Sequence, residues 1–358
     1  MIDLSLIPDG GLSWLDGSGP LSHIVLSTRI RLARNVEGVP FATRGSAADR
    51  RTVLDRVEGA WRTSPFGRGS VRFLLDELEH DDRLLLHERH LISRELVGAP
   101  TERDGGSAAA VLLSGATGVM VNEEDHLRLL TVQSGFALLQ AYTALDQLDA
   151  ALGSAIPFAF HPEFGYLTAC PTNAGTGLRA SVLIHLPGLV LTKEIAKVLQ
   201  GLTQVGLTFR GLYGEGSEVV GNFFQLSNQT TLGKSEAELL DHLGKIVRQV
   251  VAYEEQARQI LRRDAPNIIE DKVWRAYGLL RHARSLSFEE AMNLLSGVRL
   301  GVGLNLIPGL GVYMLNKLLI FTQPAHLAAG GASLAAAPEA RAAYVRRLLD
   351  EEAERRGA

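Results

Sequence analysis

The chain has 358 residues and a formal net charge of -4 at pH 7, with 36 Lys and Arg residues against 40 Asp and Glu residues. Hydrophobic residues make up 46% of the chain and charged residues 21%, which is typical of a globular protein and excludes a disordered one. The charge also excludes a global basic field for nucleic acid or an anionic membrane, so a bound anion must be held by a local cluster of cations. A single cysteine excludes an internal disulfide framework and favours a reducing, cytoplasmic compartment.

The first 22 residues are rich in Gly, Ser and Asp and are predicted to form an N-terminal arm. They lack the basic start and the unbroken apolar core of a signal peptide. The most apolar stretch, Val298–Leu319, is interrupted by Arg299, Pro308 and Lys317. We therefore expect no membrane span.

Residues 23–254 combine short strand-like runs with turns and helical stretches, which predicts an α+β domain. Strand patterns occupy His23–Ile30, Ala109–Leu113, Gly118–Asn122 and Ser181–Leu186, and helical spacing occupies Ser134–Leu152 and Lys193–Leu202.

The pattern becomes helical after about residue 233. Ser235 and Glu238 form an S-x-x-E capping box, and the amphipathic helix that follows is expected to end at Pro266. Further helices are predicted over Ile268–Arg284, from the capping box of Ser287 and Glu290, and over Pro338–Arg356. The predicted division is an arm over 1–22, an α+β catalytic domain over 23–254 and a smaller helical domain over 255–358.

Two arginines in the segment STRIRLARN (27–35) are spaced for a shared site. On an extended strand Arg29 and Arg31 point to the same face, because residues two apart do so. Two neighbouring guanidinium groups repel each other unless an anion lies between them, and phosphate matches their geometry. An edge strand with solvated arginines accounts for this segment equally well.

The segment NEEDHLR (122–128) places three carboxylates before a histidine and an arginine. A solvated turn is the more frequent explanation of such a segment. The functional interpretation is a carboxylate that binds a cation or a metal, with Arg128 as a further anion ligand. His90 lies on a predicted helix, where a single histidine is most often structural.

Two glycine-containing loops are candidates for substrate binding. CPTNAGTGLRAS (170–181) could let backbone N–H groups approach a phosphate, although it is not a Walker A motif and Cys170 alone is more often a buried small hydrophobe. RGLYGEGSE (210–218) is either a mobile loop that closes over a substrate or a plain surface turn. No H-E-x-x-H, paired C-x-x-C or G-x-S-x-G sequence occurs, so no protein-built metal site is expected.

Together and in this order, these segments resemble the motifs of the phosphagen (guanidino) kinase family over residues 23–254. Three features are similar to the bacterial protein-arginine kinase branch of this family. The STRIR block already begins at Ser27, without the helical N-terminal domain of the small-metabolite enzymes. The segments GNFFQLSNQTTLGKSE (221–236) and TQPAHL (322–327) also resemble the sequences of that branch. The resemblance implies an antiparallel sheet flanked by helices, followed by a smaller helical domain.

The resemblance also implies an activity and its partners. The activity is the phosphorylation of arginine side chains in proteins by ATP with Mg²⁺. The implied partners are protein substrates with exposed arginines, a zinc-binding activator and a Clp-type protease in the bacterial stress response, and the protein is expected to be a homodimer through its helical domain. Neither a membrane nor direct binding of nucleic acid is expected.

Site residues are implied by position in the motifs. Glu124 is expected to face the acceptor guanidinium, Glu215 to be its second carboxylate, Cys170 to lie against the same group and Glu123 to lie near the metal. As a thiolate, Cys170 would polarise the guanidinium, which we favour over a covalent phosphocysteine. The implied nucleotide site consists of Ser27, Thr28, Arg29, Ile30, Arg31, His90, Arg128, Arg179, Ala180, Ser181, Val182, Leu183, Arg210, Gly211, Leu212, Tyr213, Gly214 and Glu215.

One motif of that branch is altered. Its R-D-x-x-R-A motif forms a regulatory phosphoarginine pocket, whereas residues 337–342 read APEARA and keep only Arg341 and Ala342. The loss of the leading arginine predicts a degenerate pocket. Two alternative functions remain: a kinase for free arginine or a similar metabolite, and a non-catalytic nucleotide-binding scaffold. The retained Glu124, Cys170 and five motif arginines argue against the scaffold.

Overall fold

A computed structural model of the chain describes residues 3, 6–7, 11–42, 44–99, 106–212, 219–331, 333 and 336–357. The strands within these ranges are β1 (Val25–Arg34), β2 (Val71–Leu74), β3 (Ala110–Ser114), β4 (Thr117–Val121), β5 (Leu127–Ser134), β6 (Phe160–His161), β7 (Gly165–Tyr166), β8 (Leu178–His185), β9 (Leu207–Arg210) and β10 (Phe223–Asn228). The helices are α1 (Ala47–Thr63), α2 (His80–Glu88), α3 (Arg94–Val97), α4 (Leu138–Gly153), α5 (Pro187–Leu191), α6 (Ile195–Gln204), α7 (Glu236–Asp264), α8 (Pro266–His282), α9 (Phe288–Gly303), α10 (Val312–Phe321), α11 (Pro324–Ala329) and α12 (Ala337–Gly357).

Within the described ranges, eight strands form one antiparallel sheet in the order β2-β3-β4-β5-β1-β8-β10-β9, and β6 pairs with β7 in a small hairpin. One face of the sheet packs on α1, α4 and α7 through apolar side chains such as Ile30, Leu32, Val182 and Ile184. Side chains alternate between the two faces of a strand. In β1, Ile30 and Leu32 therefore point to this apolar face, and Arg29 and Arg31 point to the other. The predicted α+β class and antiparallel sheet are confirmed.

The predicted elements agree with the structure except at their ends. All four predicted strands are present as parts of β1, β3, β4 and β8. The helix expected from Ser134 begins only at Leu138, because Ser134 is the last residue of β5. Pro266 separates two helices as expected, but it is itself the first residue of α8, a position where the missing N–H group is not needed.

Helix α7 crosses the predicted boundary between residues 254 and 255. The capping box of Ser235 and Glu238 starts it as predicted, and it continues for 29 residues. Glu254 lies inside α7, fully buried, where its carboxylate accepts N–H bonds from Gly188 and Leu189 at 2.9 Å each and pairs with Arg258 at 2.6 Å. The division into domains stays a prediction, with its border inside a continuous helix.

The C-terminal helices pack on the sheet and on the N-terminal arm. Their apolar cluster includes Leu26, Leu183 and Phe223 of the sheet, on the face opposite α4. Trp14 of the arm is buried beside Ile320 of α10, and the side chain of Asn316 donates a 2.8 Å bond to the carbonyl of Leu15. The described part of the arm is therefore anchored in the fold. No helix in the described part of the chain combines the length and the apolar character needed to cross a membrane.

Candidate active site

Five arginines from four strands share one face of the sheet. Arg29 and Arg31 are two residues apart on β1, and Arg31 lies opposite Arg179 of β8. Arg128 of β5 and Arg210 of β9 extend the row to either side. All five line one cavity of about 420 Å³. The prediction that Arg29 and Arg31 point the same way is confirmed, and the alternative of a solvated edge strand is wrong because β1 is central.

Arg29 and Arg31 of β1 are half-buried, with buried nitrogen atoms that are short of acceptors. Among the described residues, Nε and Nη2 of Arg29 and Nε of Arg31 have no hydrogen-bond partner. Burial and the neighbouring Arg128 lower the pKa of Arg29 to about 10. Burial and three neighbouring arginines lower the pKa of Arg31 well below its usual value. Buried donors without acceptors are costly, so the cavity suits a ligand with several negative oxygens.

The acidic segment forms a tight turn between β4 and β5, against the arginines. Glu123 and Glu124 both pair with Arg128, at 2.7 Å and 3.0 Å. The side chain of Glu123 is fully buried, whereas that of Glu124 is 41% exposed and lines the cavity. Partial burial raises the pKa of Glu124 above its ordinary value, against the opposing effect of Arg128. The interpretation as a solvated turn is wrong, since Asp125 and His126 are also buried.

Asp125 supports the acidic turn from outside the cavity, a role that the sequence did not indicate. Its Oδ1 accepts 2.7 Å bonds from the side-chain amide of Asn35 and from the backbone N–H of Ala169. Asn35 in turn accepts a 2.9 Å bond from the backbone N–H of His126. Asp125 thereby ties the acidic turn to the loop that carries Cys170. The only signal in the sequence was that Asn35 and Asp125 both belong to recognised motifs.

Cys170 lines the arginine cavity and is only partly buried, so the interpretation as a buried hydrophobe is wrong. Its Sγ lies 3.0 Å from the hydroxyl of Thr172. The glycines after it have a structural reason: Gly177 has φ +66°, and a Cβ there would lie 2.6 Å from the carbonyl of Ala33 on β1. The loop therefore packs directly on the strand that carries Arg29 and Arg31.

His90 is not on a helix, contrary to the prediction. Helix α2 ends at Glu88, and His90 follows in a turn with φ +62°. Its ring is buried, lines the arginine cavity and packs edge-on against Trp14 at 5.4 Å between centroids. Burial, and then Arg29, lowers the pKa of His90 well below its usual value. A neutral imidazole therefore faces the cavity.

The structure does not bring all predicted nucleotide-site residues to the cavity. Ile30, Ala180 and Val182 point to the opposite face, into the apolar core, and Thr28 donates a 2.7 Å bond to the carbonyl of Gly135. Ser27, Ser181, Leu183 and Leu212 border a small adjoining cavity of about 20 Å³ that Arg29 and His90 also line. Gly211 directly follows β9, and the predicted Tyr213, Gly214 and Glu215 lie outside the described residues.

The altered regulatory motif is built into the fold. Arg341 is 3% exposed, and its Nε and Nη1 donate to the carbonyls of Thr322 and Leu286 at 2.9 Å and 2.8 Å. Ala342 is fully buried in the C-terminal apolar cluster. In this structure the guanidinium of Arg341 is therefore engaged with backbone carbonyls.

A second, larger groove has fewer titratable side chains than the arginine cavity. It has a volume of about 780 Å³ and lies between α6 and α7, lined by mainly apolar residues such as Val198, Val250 and Ile260. The arginine cavity is smaller but combines cations, carboxylates and the thiol, which makes it the candidate active site. Within the described ranges, no group of three or more His, Cys, Asp or Glu residues is arranged to hold a metal ion.

Comparisons with known proteins show the family of the chain. Residues 54–257 match the family described as ATP:guanido phosphotransferase, C-terminal catalytic domain, and residues 266–357 match the protein-arginine kinase McsB C-terminal domain. A protein-arginine kinase of Symbiobacterium thermophilum is 48% identical over 319 residues, 88% of this chain and 89% of that protein. The protein-arginine kinase of Bacillus subtilis is 42% identical over 323 residues, 90% and 88% of the two chains.

Solved structures show the same catalytic fold. One is the duplicated taurocyamine kinase from Schistosoma mansoni with bound transition-state-analogue components, with a TM-score of 0.59 and 29% identity. The matched region covers 71% of this chain and 35% of the taurocyamine kinase chain. Lombricine kinase, at 24% identity, has the same fold with a TM-score of 0.56 over 71% of this chain and 70% of its own. The chain therefore belongs to the ATP:guanido phosphotransferase family, in its protein-arginine kinase branch.

Proposed function

We propose that this protein is an ATP-dependent kinase that phosphorylates the guanidinium group of arginine side chains in proteins. The observation that carries the proposal is the row of five arginines facing Glu124 and Cys170 across one cavity. The names of the bacterial relatives, which cover nearly the whole chain, support a protein acceptor.

The arginines supply charge neutralisation and positioning. Phosphoryl transfer needs these more than covalent chemistry, because negative charge spreads over the equatorial oxygens as the bond loosens. The unpartnered N–H groups of Arg29 and Arg31 are donors that phosphate oxygens would satisfy. Arg128, Arg179 and Arg210 complete the set, and His90 borders the nucleotide from the side of α2.

Mg²⁺ would enter with the nucleotide, since it keeps several waters and binds chiefly to phosphate oxygens and one or two carboxylates. It would supply further neutralisation of the phosphate charge. Glu123 is the carboxylate that we propose beside it, and in this structure Glu123 is held by Arg128 at 2.7 Å. This carboxylate is fully buried and does not line the arginine cavity, so it fits a place near the metal rather than a direct ligand of it.

The acceptor is activated by Glu124. A guanidinium group has a pKa above about 12 and no free lone pair, so it is a poor nucleophile. Glu124 can bind it, align one nitrogen with the phosphorus and accept the departing proton, and its raised pKa makes it a better base than an ordinary carboxylate. We propose Cys170 as an electrostatic aid on the same guanidinium, and Glu215 as the second carboxylate.

The cellular setting is a further part of the proposal. The single cysteine supports a cytoplasmic location. Membership in the protein-arginine kinase branch supports a role in marking proteins for a Clp-type protease under stress, with a zinc-binding activator and a homodimer formed by the C-terminal helices. Light scattering of the purified chain tests the dimer, and a monomer at micromolar concentration would contradict it.

Mass spectrometry tests the activity itself. The pure protein is incubated with ATP, Mg²⁺ and a histone mixture, without acid, and with Glu124→Gln as the matched control. Acid-labile phosphoryl adducts on histone arginines, absent with the control, are expected. Consumption of ATP with free arginine but no protein adduct would indicate the metabolite kinase instead. Nucleotide binding without transfer to either acceptor, also in the presence of the activator, would indicate a scaffold.

A further inference from the structure

The end of α2 and the start of α11 are joined by a buried carboxylate. Glu88, the last residue of α2, is 7% exposed. Its Oε1 accepts a 2.9 Å bond from the backbone N–H of Ala325, and its Oε2 accepts a 3.1 Å bond from that of His326. The Nδ1 of His326 lies 2.8 Å from the same Oε2. A residue of the catalytic part thus caps a helix that follows it by more than 230 positions.

The next residue contacts the other side of the same imidazole. Nε of Arg89 lies 3.1 Å from Nε2 of His326. A guanidinium can only donate, so Nε2 must accept, and the ring proton must then lie on Nδ1, toward Glu88. The neutral imidazole of His326 therefore links Glu88 to Arg89. The guanidinium of Arg89 also lies over the ring of Phe321, 5.6 Å from its centroid.

The residue after this pair is His90, which lines the arginine cavity. Its φ of +62° is unfavourable for a residue with a side chain. Such a conformation persists only where its surroundings determine it. The two residues before His90 are both bonded to His326, and its own ring packs on Trp14. Contacts from α11 and from the arm thus support the turn, together with the 2.8 Å bond from the backbone N–H of His90 to the carbonyl of His87.

We infer that Glu88 and His326 are positioning residues, which hold His90 in the nucleotide site by fixing the turn at the end of α2. The affinity for nucleotide then depends on the C-terminal helices, although none of their residues lines the described cavity. This inference rests on the proposed function, because it takes His90 as part of the nucleotide site.

Two substitutions in the full chain test the inference. Glu88→Gln replaces one acceptor oxygen by a donor that must face either the backbone N–H of Ala325 or the N–H groups of His326, so we expect the Kd of a fluorescent ATP analogue and the KM for ATP to rise about tenfold. The kcat at saturating ATP should change by less than about twofold, since the loss is one of binding. His326→Asn can still donate its amide N–H to Glu88 but has no acceptor at the position of Nε2, which contacts Arg89, and should raise both constants about threefold.

Leu349→Ala is the matched control. Leu349 is buried in the C-terminal apolar cluster, away from the turn, so its truncation lowers the melting temperature without touching Glu88 or His326. Its Kd for the nucleotide should equal that of the unchanged chain. A control that weakens nucleotide binding as much as Glu88→Gln would overturn the inference, because general destabilisation would then explain both.

An unchanged Kd in folded Glu88→Gln would also overturn it. If Glu88→Gln fails to fold, His326→Asn decides the question in the same way. The Kd is measured without an acceptor, so its outcome is separate from the proposed function. A different result is that the unchanged chain binds nucleotide more tightly than His326→Asn, and His326→Asn more tightly than Glu88→Gln, while no arginine is phosphorylated. That result would overturn the proposed function and support this inference.

Discussion

Arg31 and Arg179 lie directly opposite each other on neighbouring antiparallel strands, and both side chains line the same cavity. Like charges at opposite positions of a sheet lower the free energy of unfolding, and burial adds to the cost of each charge. A polyanion between them removes both penalties. If the proposed nucleotide binds here, these arginines lower the stability of the ligand-free protein in favour of binding.

Replacing Arg31 with methionine tests this relationship. The change keeps an extended side chain and removes the charge, so the free energy of unfolding without nucleotide should rise by about 1 kcal/mol. The stabilisation by ATP should be lost. Denaturation with and without ATP measures both effects. Arg72→Met, at an exposed residue paired with Glu58, is the control and should leave the effect of ATP unchanged. Destabilisation by Arg31→Met with a retained ATP effect would contradict the prediction.

Glu124→Gln should separate chemistry from nucleotide binding. The amide can still accept a hydrogen bond but cannot take up the proton of the guanidinium, so kcat should fall by a factor of about 10² to 10⁴. The increase in melting temperature on adding ATP should remain. Glu95→Gln is a matched control, because Glu95 lines the same cavity without an assigned role and should keep its turnover. Near-normal turnover of Glu124→Gln would refute its role as the acceptor-facing base.

Cys170→Ser should reduce kcat about tenfold to a hundredfold without abolishing the reaction, as expected for an electrostatic contribution. A covalent phosphocysteine would require complete loss. Cys170 is the only thiol in the chain, so labelling by a thiol reagent reports on this site alone. ATP together with an arginine acceptor should slow the labelling. Intact mass measured with ATP alone should show no phosphoryl group on Cys170, and its detection there would favour the covalent route.

Acid should destabilise the fold through a buried histidine. Burial and the nearby Arg299 and Arg258 depress the pKa of His185 well below 6.5. The unfolded chain therefore binds more protons, and the free energy of unfolding falls as pH drops below 6.5, by up to about 1.4 kcal/mol per pH unit for one such group. Urea denaturation at pH 7.5 and 5.5 measures the slope. His185→Gln should make it shallower, whereas a flat profile of the unchanged chain would contradict the prediction.

Local pattern was sufficient for the central part of the site. Arg29 and Arg31 share a face because a strand repeats every two residues, a rule that needs no knowledge of the rest of the fold. The same rule places Thr28 and Ile30 on the opposite face, although the motif includes them. Glu124 and Cys170 were singled out by resemblance, since nothing in the spacing of their segments required them to meet.

Contacts between distant segments were beyond prediction from the sequence. Glu88 and Arg89 contact His326, more than 230 positions away, and the helical pattern of the local sequence does not show that α2 ends at Glu88. The predicted domain border between residues 254 and 255 lies within α7, next to a residue that also makes contacts with a distant segment. A glutamate is usually found at the surface, yet Glu254 is buried and accepts hydrogen bonds from two N–H groups of α5.

The anchoring of Leu15 by Asn316 has a consequence for biosynthesis. The two residues are 301 positions apart, and the ribosome releases the N-terminal end of a chain first. Trp14 and Leu15 therefore have no partner in α10 until nearly the whole polypeptide has been made, and contacts of such long sequence separation are slow to form. During this interval Trp14 can pack on His90 and Val132, but the side that faces α10 stays open to a chaperone until the last helices emerge and cover it.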